Sequence, residues 1–216
     1  MAMNRKIHPT ATTALVVLFL MCCEAILAYE EPDFSVLAAV NQVEFRQYEP
    51  YLVAETMVVG ETDRDRAVSI GFRRLFNYIS GDNVLRTEIT TAEAVSSGTK
   101  ISMTVPVQQI RQDEGWTVSF VVPREFEWEN VPLPVDSQVR IRQVAGRLMA
   151  ALRYSGRWSD KNVERHEALL IGRLKDLDIT REGPTVTAYY NAPFSAPFMR
   201  RNEVMFAVDR LPADAP

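Results

Sequence analysis

The chain reads as an α+β protein: a distorted, mostly antiparallel β-barrel with two flanking helices, built from a strand-pair, helix, strand-pair unit that occurs twice. Three observations predict this. Short apolar and alternating runs recur along the chain, bounded by Gly, Pro, Asn or Asp. Two longer segments instead space their apolar residues by three and four, as a helix with one buried face does. Finally, the halves echo each other: Gln47 and Gln143, Leu52 and Leu148, and Ala54 and Ala150 each stand 96 residues apart, and the helical segments keep nearly that offset. Two such units predict a pseudo-twofold arrangement in which strands from both halves share one curled sheet.

Residues 29–42 are expected to be a short acidic lead, and 43–210 a single domain with repeats at about 43–122 and 139–208, followed by a tail over 211–216. Val43 to Tyr48 reads as a strand, Glu49-Pro50 as a turn, and Tyr51 to Val59 as a second strand. Asp63 or Asp65 opens a helix whose apolar face is Val68, Phe72, Leu75 and Ile79, with Phe76 beside it, and Ser80 to Asn83 ends it. Strands are expected at Ile101–Ile110 and Trp116–Val122, and residues 123–138, with prolines and acids, form a connection. The second unit follows with strands at Val139–Val144 and Arg147–Tyr154. Ser159 caps a helix running to about Leu177, whose inner face is Val163, Leu170, Leu174 and Leu177. Strands around Val186–Tyr190 and Val204–Val208 close it.

The first 28 residues differ in kind. Arg5 and Lys6 precede an uncharged run from Ala11 to Cys23, and Ile26-Leu27-Ala28 supplies a small residue where cleavage is expected. This is the pattern of a secretory leader; the run is short for a membrane span, and an uncleaved N-terminal anchor is the alternative. Removing the leader takes the formal charge from −4 to −5, because Arg5, Lys6 and Glu24 leave with it. Cys22, Cys23 and His8 go too, and the remaining chain keeps a single imidazole, His166, and no thiol. Disulfides and thiolate ligands are thereby excluded, and an acidic chain without a basic cluster argues against a nucleic-acid partner. No GxSxG, P-loop or metal-ligand pattern is present, so the chain is read as a binder and not an enzyme. A hydrolase using carboxylates and tyrosines, with Glu88, Glu93 and Glu203 as candidates, is the lesser alternative.

The most distinctive stretch is Tyr189 to Phe206, where a loop between two strands carries Pro193, Phe194, Pro197, Phe198, Met199, Arg200 and Arg201. Connections seldom carry so many large apolar groups. Two readings stand open: a plug for the end of a barrel, or a stiff apolar lip, flanked by cations, for a flat acidic ligand.

Several blocks carry a family resemblance. They are Val43–Tyr48 with Pro50-Tyr51, Gly71-Phe72 with Tyr78–Asn83, Lys100–Val107, Phe120–Pro123, Leu133-Pro134, Tyr190–Phe194 and Arg200–Val204. In this order and spacing the chain resembles the SOUL haem-binding proteins, whose fold is akin to the effector-binding domains of bacterial regulators. The resemblance implies reversible, non-covalent and weak binding of haem or another porphyrin in a shallow groove between the first helix and the last interstrand loop. Carried onto this chain, the helix offers Ser69, Phe72, Arg73 and Phe76, and the loop offers Phe194, Phe198, Met199 and Arg200. Some members place a histidine, proposed as an axial ligand, where this chain has Gln47. An amide is a poor ligand for haem iron, which leaves His166 as a weak axial candidate and apolar contact as the expected source of affinity. A binder of other small hydrophobic ligands, with no haem role, is the runner-up.

Overall fold

The computed structural model describes residues 29–85 and 98–213. The expected leader, Glu88 and Glu93 lie outside these residues. Eleven strands and two long helices follow in chain order: β1 (Phe34–Val40), β2 (Val43–Tyr48), β3 (Tyr51–Val59), α1 (Arg64–Ser80), β4 (Asn83–Val84), β5 (Val107–Gln112), β6 (Gly115–Val121), β7 (Leu133–Pro134), β8 (Val139–Val144), β9 (Arg147–Tyr154), α2 (Asp160–Asp176), β10 (Arg181–Tyr189) and β11 (Asn202–Val208). Nine strands form one curled antiparallel sheet, a half-barrel, in the order β1-β2-β9-β11-β10-β5-β6-β3-β8; β4 and β7 pair separately.

The duplication is visible in this order. β2, β3 and α1 begin at residues 43, 51 and 64, and β8, β9 and α2 at 139, 147 and 160, an offset of 96 each time. Reading outward from the central β10–β5 pair, β11-β9-β2 on one side corresponds to β6-β3-β8 on the other. The halves interlock: β2 of the first unit pairs with β9 of the second, and β8 of the second with β3 of the first.

The lead region contains more than the sequence suggested. Phe34–Val40 is a full strand on the sheet edge, joined to β2 by a two-residue turn in which Asn41 and Gln42 have φ of 50° and 68°. This is the backbone of a primed hairpin turn, most often written Asn-Gly. Without the glycine the signal was faint. Ile101 to Pro106, expected to be a strand, lies outside the regular ladder, which starts at Val107. Pro106 has no N–H to contribute to it.

Each helix covers its own part of one sheet face. Beneath α2, Leu170 and Leu174 meet Phe45, Leu152, Val204 and Phe206. Beneath α1, Leu75, Tyr78 and Ile79 meet Leu52, Val118 and Phe120. Asp63 caps α1, its Oδ1 accepting from the Arg66 N–H at 2.9 Å; Ser159 stands at the same place before α2 but makes no side-chain cap. Gly71 lets α1 sit close, since a Cβ there would lie 2.7 Å from Val118 Cγ2. Ala67, Gly71, Leu75 and Tyr78 thus form the buried stripe, and Phe72, expected within it, is turned to the rim at 36 % exposure. The opposite sheet face packs Tyr48, Met149, Val186, Tyr190 and Met205.

Candidate ligand site

The loop between β10 and β11 holds its shape through hydrogen bonds to itself. Tyr190 N–H donates to Arg201 O at 3.2 Å and Arg201 N–H to Asn191 Oδ1 at 2.6 Å, which closes its neck. Pro197–Met199 forms one 3₁₀ turn. Arg200 then ties the crown: Nε donates to Ser195 O at 2.9 Å and Nη2 to Pro193 O at 2.6 Å. Its guanidinium also lies 4.4 Å above the Trp158 ring. The sequence assigned Arg200 to a ligand's acids; two of its nitrogens serve the loop.

Trp158 is the joint of this region. Its Nε1 donates to Asn202 Oδ1 at 2.8 Å, and its carbonyl accepts from Arg64 Nη2 at 2.7 Å. Arg64 is the first residue of α1, so the first helix and the loop are linked through one residue, Trp158, by its carbonyl on one side and its indole on the other. Gly156 N–H reinforces the link by donating to Pro197 O at 2.9 Å.

Against this tied backbone, the loop's large side chains point away from the core. Phe194 is 91 % exposed, Phe198 78 % and Met199 70 %. The plug reading therefore fails, because these groups fill nothing. On α1, Ser69, Phe72, Arg73 and Phe76 share the outward face, and Ser69 Oγ donates to Asp65 O at 2.7 Å. The Phe72 and Phe76 rings stack at 6.1 Å, with Phe120 edge-on to Phe72 at 5.1 Å. The structure thus forms two apolar groups, one on α1 and one on the loop; among the described residues no ring contact joins them.

His166 lies elsewhere, on α2. Its ring stacks on Tyr154 at 4.1 Å, and Nδ1 is 2.7 Å from Asn162 O. A carbonyl only accepts, so it is the Nδ1–H that donates here. Gln47, on β2, donates from Nε2 to the Tyr48 carbonyl at 3.1 Å.

Glu203 is fully buried on the other sheet face. It accepts from Arg46 Nη1 at 2.7 Å and Nη2 at 3.1 Å, from Arg201 Nε at 3.0 Å and from Tyr190 Oη at 2.9 Å. Burial would raise this carboxyl, but Arg46 and Arg201 outweigh it and hold it below its ordinary value. A carboxylate held ionised at neutral pH by four donors is a strut and not a proton reservoir. Of the two arginines that precede it in the chain, Arg201 takes part and Arg200 does not. Arg46, unremarked in the sequence, is the second partner, and strand alternation in β2 is the signal that sets it opposite Phe45. Arg201 also reaches Glu31 at 2.7 Å, tying the loop neck to the segment before β1. A smaller cluster holds Glu55 between Arg140 at 2.7 Å and Arg142 at 2.8 Å.

The model of a protein family described as "SOUL heme-binding protein" matches residues 29–207. The chain belongs to the SOUL family. The match takes in β1 as well as the duplicated units, so the edge strand is part of the SOUL domain. A comparison with curated proteins gives no match. Among solved structures, the SOUL chain is similar to a hydrolase from Listeria innocua, at 12 % identity over 80 % of this chain and 94 % of that one, with a TM-score of 0.51. It is also similar to the EcmrR C-terminal domain, at 9 % identity over 79 % and 98 % of the two chains, with a TM-score of 0.51. At such identities the likeness is one of fold, and it agrees with the α+β half-barrel described above. Among the described residues no helix is long and apolar enough to cross a membrane.

Proposed function

We propose that this SOUL chain binds haem or a related tetrapyrrole reversibly, as an exported carrier, scavenger or sensor, and that the lip formed by Phe194, Phe198 and Met199 supplies most of the affinity. The observation that carries the reading is this lip: three large apolar side chains held in solvent by a loop whose own backbone is tied down. Exposed apolar groups on a preorganised segment favour binding, because little ordering cost remains. Phe72 and Phe76 on α1 offer a second apolar wall, linked to the lip through Arg64 and Trp158. Aromatic and thioether groups suit the faces of a porphyrin. Arg73, exposed on α1, and the part of the Arg200 guanidinium not bound to the loop suit its propionates.

The iron is left a small role. Gln47 is bonded to its own strand, and His166 stacks on Tyr154. We therefore expect haemin and iron-free protoporphyrin to bind within about tenfold of each other. Replacing Phe194 and Phe198 together by Ser removes on the order of 1.5–3 kcal/mol per ring that becomes buried, so affinity for both porphyrins falls at least tenfold. The thermal midpoint stays within a few degrees, since neither ring packs against the core. His166→Ala leaves haemin affinity within threefold. Absorbance titrations of the purified chain provide the test. A Soret band unaltered by micromolar protein would sink the reading, and a haemin preference abolished by His166→Ala would overturn the assignment to apolar contact.

A further inference from the structure

On the helix-bearing face, a cleft of about 590 Å³ opens between the first turns of α1 and α2. Its floor belongs to the central strand pair, where Gln109 of β5 stands opposite Thr187 of β10. This pair lies at the pseudo-twofold axis, between the surfaces that the two helices cover. Gln109 is 5 % exposed, and its Oε1 has no hydrogen-bond partner among the described residues. Such a buried acceptor costs about 1–3 kcal/mol, and a native fold that keeps one calls for a reason.

Two side chains that could donate to it have partners of their own. Thr187 Oγ1 donates to the Gln109 main-chain carbonyl at 3.1 Å. Arg64 gives Nη1 to Tyr189 Oη at 2.7 Å and Nη2 to Trp158 O at 2.7 Å, and its Nε lies 2.7 Å from Asp160. Acceptors, in contrast, are in excess. Four carboxylates, among them Glu164 and Glu167 near the start of α2, line the cleft against three guanidiniums. The Trp116 ring stands on the wall, where an aromatic face attracts a cation. A cleft whose buried amide oxygen is open selects a ligand that donates; the surplus of negative charge selects a cation.

We propose that this cleft is a second small-molecule site, for a protonated organic amine whose ammonium group donates to Gln109 Oε1 among the carboxylates of α2. The site is separate from the aromatic lip and does not depend on the tetrapyrrole reading. Calorimetric titration of the full chain with 1,4-diaminobutane tests it, with 1,4-butanediol as the uncharged control. One-to-one binding of the diamine is expected, with the diol at least tenfold weaker. Gln109→Met keeps the length of the side chain and removes the acceptor. It should abolish diamine binding, raise the thermal midpoint in amine-free buffer because the open carbonyl is gone, and leave haemin titration unchanged. Glu164→Gln, on the exposed rim, should cut diamine affinity about three- to tenfold at an unchanged thermal midpoint. No heat with millimolar diamine, equal affinity for the diol, or full affinity retained in both variants would overturn the proposal.

Discussion

Glu203 shows how one residue can govern a whole region. Its carboxylate joins β11 to β2 through Arg46, and to the loop neck through Arg201. The net worth of such a buried pair relative to an apolar pair is small, but removing one partner strands the other charge. Glu203→Gln leaves Arg46 buried with only the half-exposed Glu44 as a counterion. The expected loss is about 3–5 kcal/mol in urea denaturation at pH 7. The pH dependence has a definite sign. Glu203 titrates lower in the folded chain than in the unfolded one, as does Glu55. Each therefore stabilises the fold above the unfolded carboxylate value and loses that contribution as pH falls from about 5 through the folded value. The wild-type and Glu203→Gln stabilities should converge on acidification; parallel curves between pH 7 and 3 would show that this carboxylate does not carry the acid limb. The tyrosines of the cluster stay protonated throughout, Tyr48 being pushed up to about 12 by burial.

Among the elements, both helices and β2, β3, β8 and β9 were legible in the sequence, because each carries an unbroken period and a clear stop. Gly81, for instance, ends α1 at a φ of 127°. β1 was not legible. Its Ser35 to Ala39 core is mostly small or half exposed, as suits an edge strand, and its turn uses Asn41-Gln42 in place of Asn-Gly. Gln42 at a φ of 68° pays a backbone cost that glycine would not. Gln42→Gly should therefore stabilise the chain by about 0.5–1 kcal/mol, read as a rise in the urea midpoint at constant slope. Arg173 donates to Gln42 Oε1 at 3.2 Å on the exposed surface, and its loss is expected to subtract little. A fall in the midpoint would mean that this contact matters more than the strained turn. The helix faces were legible only to within a side chain: Phe72 has the spacing of a core residue, and only the close approach at Gly71 turns it to the rim.

For the whole molecule, the candidate site was legible as residues but not as geometry. A Pro-fenced loop rich in Phe can be read from its letters. That Arg200 would bond to its own loop, or that Trp158 would link that loop to α1, depends on contacts between residues far apart in the chain. Arg46 and Gln109 were missed for a related reason: a polar residue inside a strand looks alike whether it faces water or lies buried opposite a distant strand. The strand order makes a further prediction. Three ladders, β2–β9, β3–β8 and β5–β10, join residues 29–134 to residues 135–213, and neither piece can form them alone, so neither should fold as a monomer. Mixed in equal amounts they should recover near-ultraviolet circular dichroism and migrate together. A half that is folded and monomeric by sedimentation would refute the interdependence. The crossing of β2 to β9 and of β8 to β3 also fixes the molecularity of folding. Between two half-length chains those ladders would form in a second-order step and come apart on dilution. Within one chain the same ladders close in a first-order step, so their own contribution to stability does not depend on protein concentration.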